Sequence, residues 1–252
     1  MDGELAARLR QALASSRGWL DEWIEEGGDA SPRPARKAPR PADDSLTPTV
    51  ASVPSPVARP EPRAGLTLEA VRADLGECTR CALCEGRNQI VFGDGNPKAD
   101  ILFVGEGPGE QEDLRGLPFV GRAGELLTQM IEKGMELDRS DVYICNIVKC
   151  RPPGNRTPLA AEVAACRSFL DGQIDAVAPR VIVSLGKPAA SLLLDRDVAI
   201  TRTRGTWQQY RGIPLMPTLH PAFVLRQYTA ENRRNVWNDL KAALDRSRET
   251  AR

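Results

Sequence analysis

Apolar residues in this chain come in short unbroken runs, separated by longer stretches at helical spacing. Residues 101–104 read Ile-Leu-Phe-Val, 142–148 Val-Tyr-Ile-Cys-Asn-Ile-Val, 181–185 Val-Ile-Val-Ser-Leu and 214–219 Pro-Leu-Met-Pro-Thr-Leu. Runs of this length predict parallel strands buried on both faces. The fourth is the weakest, and its prolines predict an edge or a strand start. Residues 123–134, 159–178, 188–194 and 231–246 predict helices. Strands alternating with helices predict an α/β domain over residues 66–252, three-layer α/β/α with a central, mostly parallel four-stranded sheet.

Two stretches precede that domain. Leu5, Leu9, Ala12, Leu13, Leu20, Trp23 and Ile24 recur at helical spacing and predict an amphipathic helix over residues 1–26, closed by Gly27 and Gly28. It either docks on its own domain or binds a protein partner, and Trp19 and Trp23 suit the second role. Residues 27–65 hold nine of the 20 prolines and few large apolar side chains, so a disordered linker is expected. Its basic cluster (Arg33, Arg36, Lys37, Arg40) serves either solubility or weak contact with phosphates.

The 252 residues carry 34 basic and 34 acidic side chains, so any nucleic-acid face has to be a local patch. No leading apolar run predicts a secretory signal and no stretch predicts a membrane span. A soluble, cytoplasmic monomer is expected. In that reducing compartment the six cysteines are ligands or free thiols rather than disulfides.

Each predicted strand runs into an unusual loop. The first meets Gly105-Glu-Gly-Pro-Gly109, the second ends at Asn146 before Lys-Cys-Arg-Pro-Pro-Gly-Asn-Arg, the third meets Gly186-Lys-Pro, and the fourth meets His220-Pro-Ala. Ligands of open α/β sheets bind beyond the carboxyl ends of the strands, which predicts that Glu106, Asn146 and His220 share one pocket. Asn146 offers a donor and an acceptor together, suited to the edge of a base or amide. His220, the only histidine, can give a hydrogen bond or proton to a developing anion. Phe119 can stack on a flat ring. The glycine loop lacks the Lys-Ser/Thr ending of a phosphate loop, so the set fits a nucleobase better than phosphoryl transfer. Glu110, Glu112 and Asp113 can equally cap a helix.

Cys78 and Cys81 form one close pair, Cys150 stands alone in a Pro/Gly loop, and Cys166 follows sixteen residues later. Four thiolates so placed can close on one iron–sulfur cluster or one zinc. Cys84 is expected beside that site and Cys145 in the core.

Four ordered segments, G-E-G-P-G-E-Q-E-D with the following G-L-P-F-V-G, N-I-V-K-C-R-P-P-G-N-R-T-P, H-P-A-F-V-L-R and C-T-R-C-A-L-C-E-G-R, resemble those of the family 4 uracil-DNA glycosylases, the iron–sulfur members of the uracil-DNA glycosylase superfamily. The similarity covers about residues 70–245. It implies a monofunctional enzyme that flips uracil out of DNA and hydrolyses its glycosidic bond. It also implies a structural [4Fe–4S] cluster on Cys78, Cys81, Cys150 and Cys166. Phe119 would stack on the base, Asn146 would read its edge, and the backbone at Gly107 would help hold it. His220 would stabilise charge on the leaving base. Glu106, with Glu112 as second choice, would position water. Phe223, Val224, Leu225 and Arg226 would form the wedge that fills the vacated stack. The superfamily's best-known branch has an aspartate where Gly107 stands, so a water-activating aspartate is absent there. Two other readings are a non-catalytic DNA-binding cluster module and a zinc-stapled nuclease.

Overall fold

A computed structural model describes residues 66–249. The expected helix at 1–26 and linker at 27–65 lie outside the described residues.

The four apolar runs become β2 (Ile101–Gly105), β3 (Tyr143–Asn146), β4 (Val181–Leu185) and β6 (Ile213–Thr218), all parallel and adjacent. Two short strands the apolar pattern does not show extend the sheet at its edges: β1 (Asp94–Gly95) against β3, and β5 (Gln208–Tyr210) against β6, both antiparallel. The sheet therefore has six strands rather than four, in the order β1-β3-β2-β4-β6-β5. Both additions are polar and partly exposed, so no hydrophobic period marks them. Arg211 and Gly212 join β5 to β6, both with positive φ, as a two-residue hairpin turn requires.

The hairpin also corrects the placement of the fourth strand, which lies inside the sheet. Its second proline is tolerated because of where it points. The Pro217 carbonyl accepts from Gly205 N–H on the side away from β4, and β5 has already ended opposite Leu215. The missing N–H therefore costs no ladder bond.

Alternation along the strands sorts the core into two layers. Ile101, Phe103, Ile144, Val181, Val183 and Met216 face α3 (Arg122–Gln129, continued by a π-turn over Met130–Gly134) and α8 (Ala230–Arg248). Leu102, Val104, Tyr143, Cys145, Ile182 and Leu215 face α4 (Ala160–Val177) and α5 (Lys187–Leu193). The three-layer expectation holds. Outside α4, α1 (Leu68–Leu75) adds a small cluster of Val71, Leu75 and Phe169. Three short helices complete the described chain: α2 (Glu110–Arg115), α6 (Ile200–Thr203) and α7 (Pro221–Arg226). No helix among the described residues is long and apolar enough to cross a membrane.

From β2 the chain goes first to β3 on one side and later to β4 on the other. The strand order thus reverses at β2, and loops leave its carboxyl end in opposite directions to open a crevice. On the far side of β6, buried Asp239 of α8 accepts from Thr218 Oγ1 at 2.6 Å and from both Nε and Nη2 of Arg204, while Arg204 also bonds the Asn235 carbonyl at 2.8 Å. This bracket clamps the end of β6 two residues before His220. Removing one partner of a buried ion pair leaves the other uncompensated, so Asp239→Ala is expected to cost about 3 kcal/mol, read as a lowered urea midpoint at unchanged slope.

Candidate active site

Gly105, the last residue of β2, pairs in register with Asn146, the last of β3. The absence of a side chain at Gly105 makes the site possible. A Cβ there would collide with Asn146 Oδ1 and stand 2.6 Å from the Phe119 ring. Asn146 is 1 % exposed, and its Oδ1 has no hydrogen-bond partner among the described residues. A buried acceptor left open costs free energy unless a ligand answers it. Gly107 is needed for close approach as well: a Cβ would meet Val148 Cγ2 at 2.9 Å. The strands keep contact past their ends, with Ile147 N–H on the Gly105 carbonyl at 2.9 Å.

Phe119 reaches this point from a loop held in an unusual shape. Its φ is 52°, a left-handed conformation that costs energy for a non-glycine residue. Glu112 holds it there. One carboxylate oxygen accepts the N–H groups of Val120 and Gly121, each at 2.8 Å, and the other accepts Gly109 N–H at 3.1 Å. Both oxygens of Glu112 are thus engaged in bracing the loop. Glu106 follows Gly105 and is partly buried, and its carboxylate makes no hydrogen bond with the described residues. Of the two carboxylates considered for water, Glu106 is the one left open.

His220 caps α7. Its Nδ1 accepts Ala222 N–H at 3.1 Å, which leaves the proton of a neutral ring on Nε2. The ring lies 5.7 Å from that of Phe119, tilted by 32°. Burial, helped by the charge of Arg226 and opposed by Glu112, pushes its pKa down to about 4. The imidazole is therefore a neutral donor at physiological pH. Gly186 leaves room for it, since a Cβ there would stand 3.0 Å from His220 Cβ. Asn146 and His220 both meet the Phe119 ring, and Glu106 and Gly107 follow Gly105 in the adjoining loop.

The expected wedge divides. Val224 is 0 % exposed and sits in the core, which corrects its assignment: a side chain packed there cannot reach DNA. Phe223 and Leu225 are half-buried against the same core, and Arg226 is exposed.

The thiols gather below the loop that follows β3. Cys150 is close enough to Cys166 and Cys81, and Cys166 to Cys81 and Cys78, for the charge on one to raise the pKa of the next. Burial pushes Cys150 up to about 11 against a hydrogen bond from Arg87 Nη1 at 3.5 Å, and burial raises Cys166 as well. Arg87 also bonds the Cys78 carbonyl at 2.5 Å, with Cys84 beside it, and Cys145 is wholly buried on β3. No three His, Cys, Asp or Glu side chains among the described residues close on the spacing of a single metal ion.

Residues 92–241 match the model of the uracil DNA glycosylase superfamily. The chain belongs to that superfamily. It is 49 % identical to the type-4 uracil-DNA glycosylase of Thermotoga maritima over 70 % of this chain and 92 % of that protein. Its identity to the type-4 enzyme of Sulfurisphaera tokodaii is 43 %, over 69 % of this chain and 82 % of that one. With that of Archaeoglobus fulgidus it is 39 %, over 69 % and 90 %. The superfamily match contains the whole crevice from Gly105 to His220.

Sequence reasoning did not foresee the bracing roles of Glu112 and Asp239 or the need for no side chain at Gly105. Nor did it foresee Gly124, where a Cβ would collide with the Phe119 backbone. The small residue in R-A-G-E was the only local signal of that contact.

The depressed pKa of His220 has a consequence for stability. The unfolded chain takes up a proton near pH 6.5 that the folded ring refuses until about 4, so stability falls as pH drops through that window. Between about pH 7 and about pH 4.5 this is worth about 2 kcal/mol. His220→Asn, which retains a capping acceptor, is expected to lose that much less stability over the same interval in urea titrations.

Proposed function

We propose that this chain is a monofunctional uracil-DNA glycosylase that flips uracil out of DNA and hydrolyses its N-glycosidic bond, leaving an abasic site for base excision repair. The buried, unpartnered Oδ1 of Asn146 beside Phe119, whose ring lies against His220, carries this reading. Uracil presents N3–H to that oxygen. Cytosine presents a lone pair instead, and two facing acceptors repel, so the same amide admits one base and refuses the other. Extruding the base costs a few kcal/mol, which stacking on Phe119 and the Asn146 bonds partly offset.

As the C1′–N1 bond breaks, its electron pair leaves with the base and negative charge grows on uracil O2. His220 Nε2–H donates to that oxygen as a neutral group, so it stabilises the charge without having to give up its proton. Glu106 holds the water that attacks C1′, takes up its proton and offsets the cationic character of the sugar. Glu112 contributes indirectly by holding the Phe119 loop. The DNA enters along α7, where Phe223, Leu225 and Arg226 fill the gap left by the extruded base.

Cys78, Cys81, Cys150 and Cys166 would hold a [4Fe–4S] cluster. Two observations support its fit: thiols close enough to feel one another's charge, Cys150 with Cys166 and Cys81 and Cys166 with Cys81 and Cys78, and a guanidinium on Cys150. Its contribution would be structural, since these four cysteines lie in the loop after β3, on α4 and in the turn after α1.

A duplex with a single deoxyuridine, treated with alkali after incubation, should be cut at that site alone. Glu106→Gln, Asn146→Ala and His220→Ala should each lower the single-turnover rate by about 100-fold or more. No cutting by iron-loaded wild type would overturn the proposal. Cys150→Ala should lose both iron and the broad visible absorbance of the cluster; unchanged iron would remove Cys150 from the ligand set.

A further inference from the structure

Lys149 stands between the base-reading residue and a thiol ligand, and it is buried without a conventional reason. Its side chain is 0 % exposed. The ammonium donates to the backbone carbonyl of Asn146 at 2.7 Å and to Gln173 Oε1 at 2.5 Å. Gln173, equally buried on α4, donates from Nε2 to the Phe92 carbonyl at 2.8 Å and to Tyr143 Oη at 3.0 Å. The main chain of Lys149 is engaged too. Its carbonyl accepts Val91 N–H at 2.8 Å, and its N–H faces Cys166 Sγ. Among the described residues it has no carboxylate partner; the ionisable groups acting on it are the thiols of Cys145 and Cys166.

Burial pushes the Lys149 pKa down, and an amine taken out of water and answered by two neutral oxygens is costlier than a methionine of the same volume. Packing therefore does not account for it, but its target does. Asn146 closes β3, and its carbonyl is the group by which the peptide plane after the strand is set. Holding that plane fixes the direction in which the Asn146 amide leaves the backbone. A shift of about 1 Å in such a group costs around 100-fold in rate.

We propose that Lys149 is a positioning residue, which with Gln173 aims the Asn146 amide at the extruded base and ties that aim to the thiol-bearing loop. The proposal rests on the reading of Asn146 as the residue that recognises uracil.

The test uses iron-loaded, full-length protein and two duplexes, one carrying a 2′-fluorinated deoxyuridine that resists cleavage and one carrying 2′-fluorinated deoxycytidine in its place. Affinity for the first over the second reports base reading apart from turnover. Iron content is measured on each variant. Lys149→Met and Gln173→Leu should keep their iron and bind the deoxycytidine duplex as wild type does. Both should lose about tenfold in preference, and uracil release should fall by about 100-fold. If wild type shows no preference, the reading of Asn146 fails and the proposal with it. If wild type shows the preference, Asn146→Ala loses it and iron-replete Lys149→Met keeps it, the reading stands and the proposal is overturned. Should Lys149→Met lose iron, Gln173→Leu decides. Lost preference with iron intact supports the brace, and full preference leaves Lys149 serving the cluster alone.

Discussion

The pairing of Gly105 with Asn146 at the carboxyl end of the sheet is the contact on which the rest of this molecule depends. It is an ordinary parallel ladder step, but it places a residue without a side chain next to an amide with an unanswered oxygen. Phe119 fills the remaining side. Any larger residue at position 105 would drive Asn146 and Phe119 apart. The pocket is therefore a space kept open by backbone geometry, at the point where the strand order reverses and loops leave in opposite directions.

The apolar core places the strands but not the loops beyond them, because burial is non-directional and loops have little apolar surface to bury. Polar brackets hold the loops instead. Glu112 ties the Phe119 loop, through the N–H groups of Val120 and Gly121, to the start of α2 at Gly109, Asp239 ties the end of β6 to α8 through Arg204 and Thr218, and Lys149 ties the end of β3 to α4 through Gln173. Each bracket ends within two residues of a group in the pocket or on that group itself. Directional bonds in a low-dielectric setting give the angular precision that packing alone does not.

Electrostatics follow from the same enclosure. His220 is kept neutral chiefly by burial, with its acceptor nitrogen spent on the helix it caps, so one donor remains. Burial likewise pushes up the pKa of the nearby thiols of Cys150 and Cys166.

Sequence by itself determined the layers, the four parallel strands and the placing of Glu106, Asn146 and His220 beyond the same end of the sheet. Long apolar runs can be buried only one way, and the ends of parallel strands all open on one side. It also marked the four cysteines through their spacing and motifs. The edge strands Asp94–Gly95 and Gln208–Tyr210 carry too few residues and too little apolar surface to be seen locally. Tertiary structure alone decided that Val224 of the expected wedge belongs to the core, since one turn of helix shows both faces to a reader of the chain. It alone gave Glu112 to the loop and Lys149 to Asn146. A charged side chain in a sequence has no partner until the fold brings one, and the partners here come from separate strands, helices and loops.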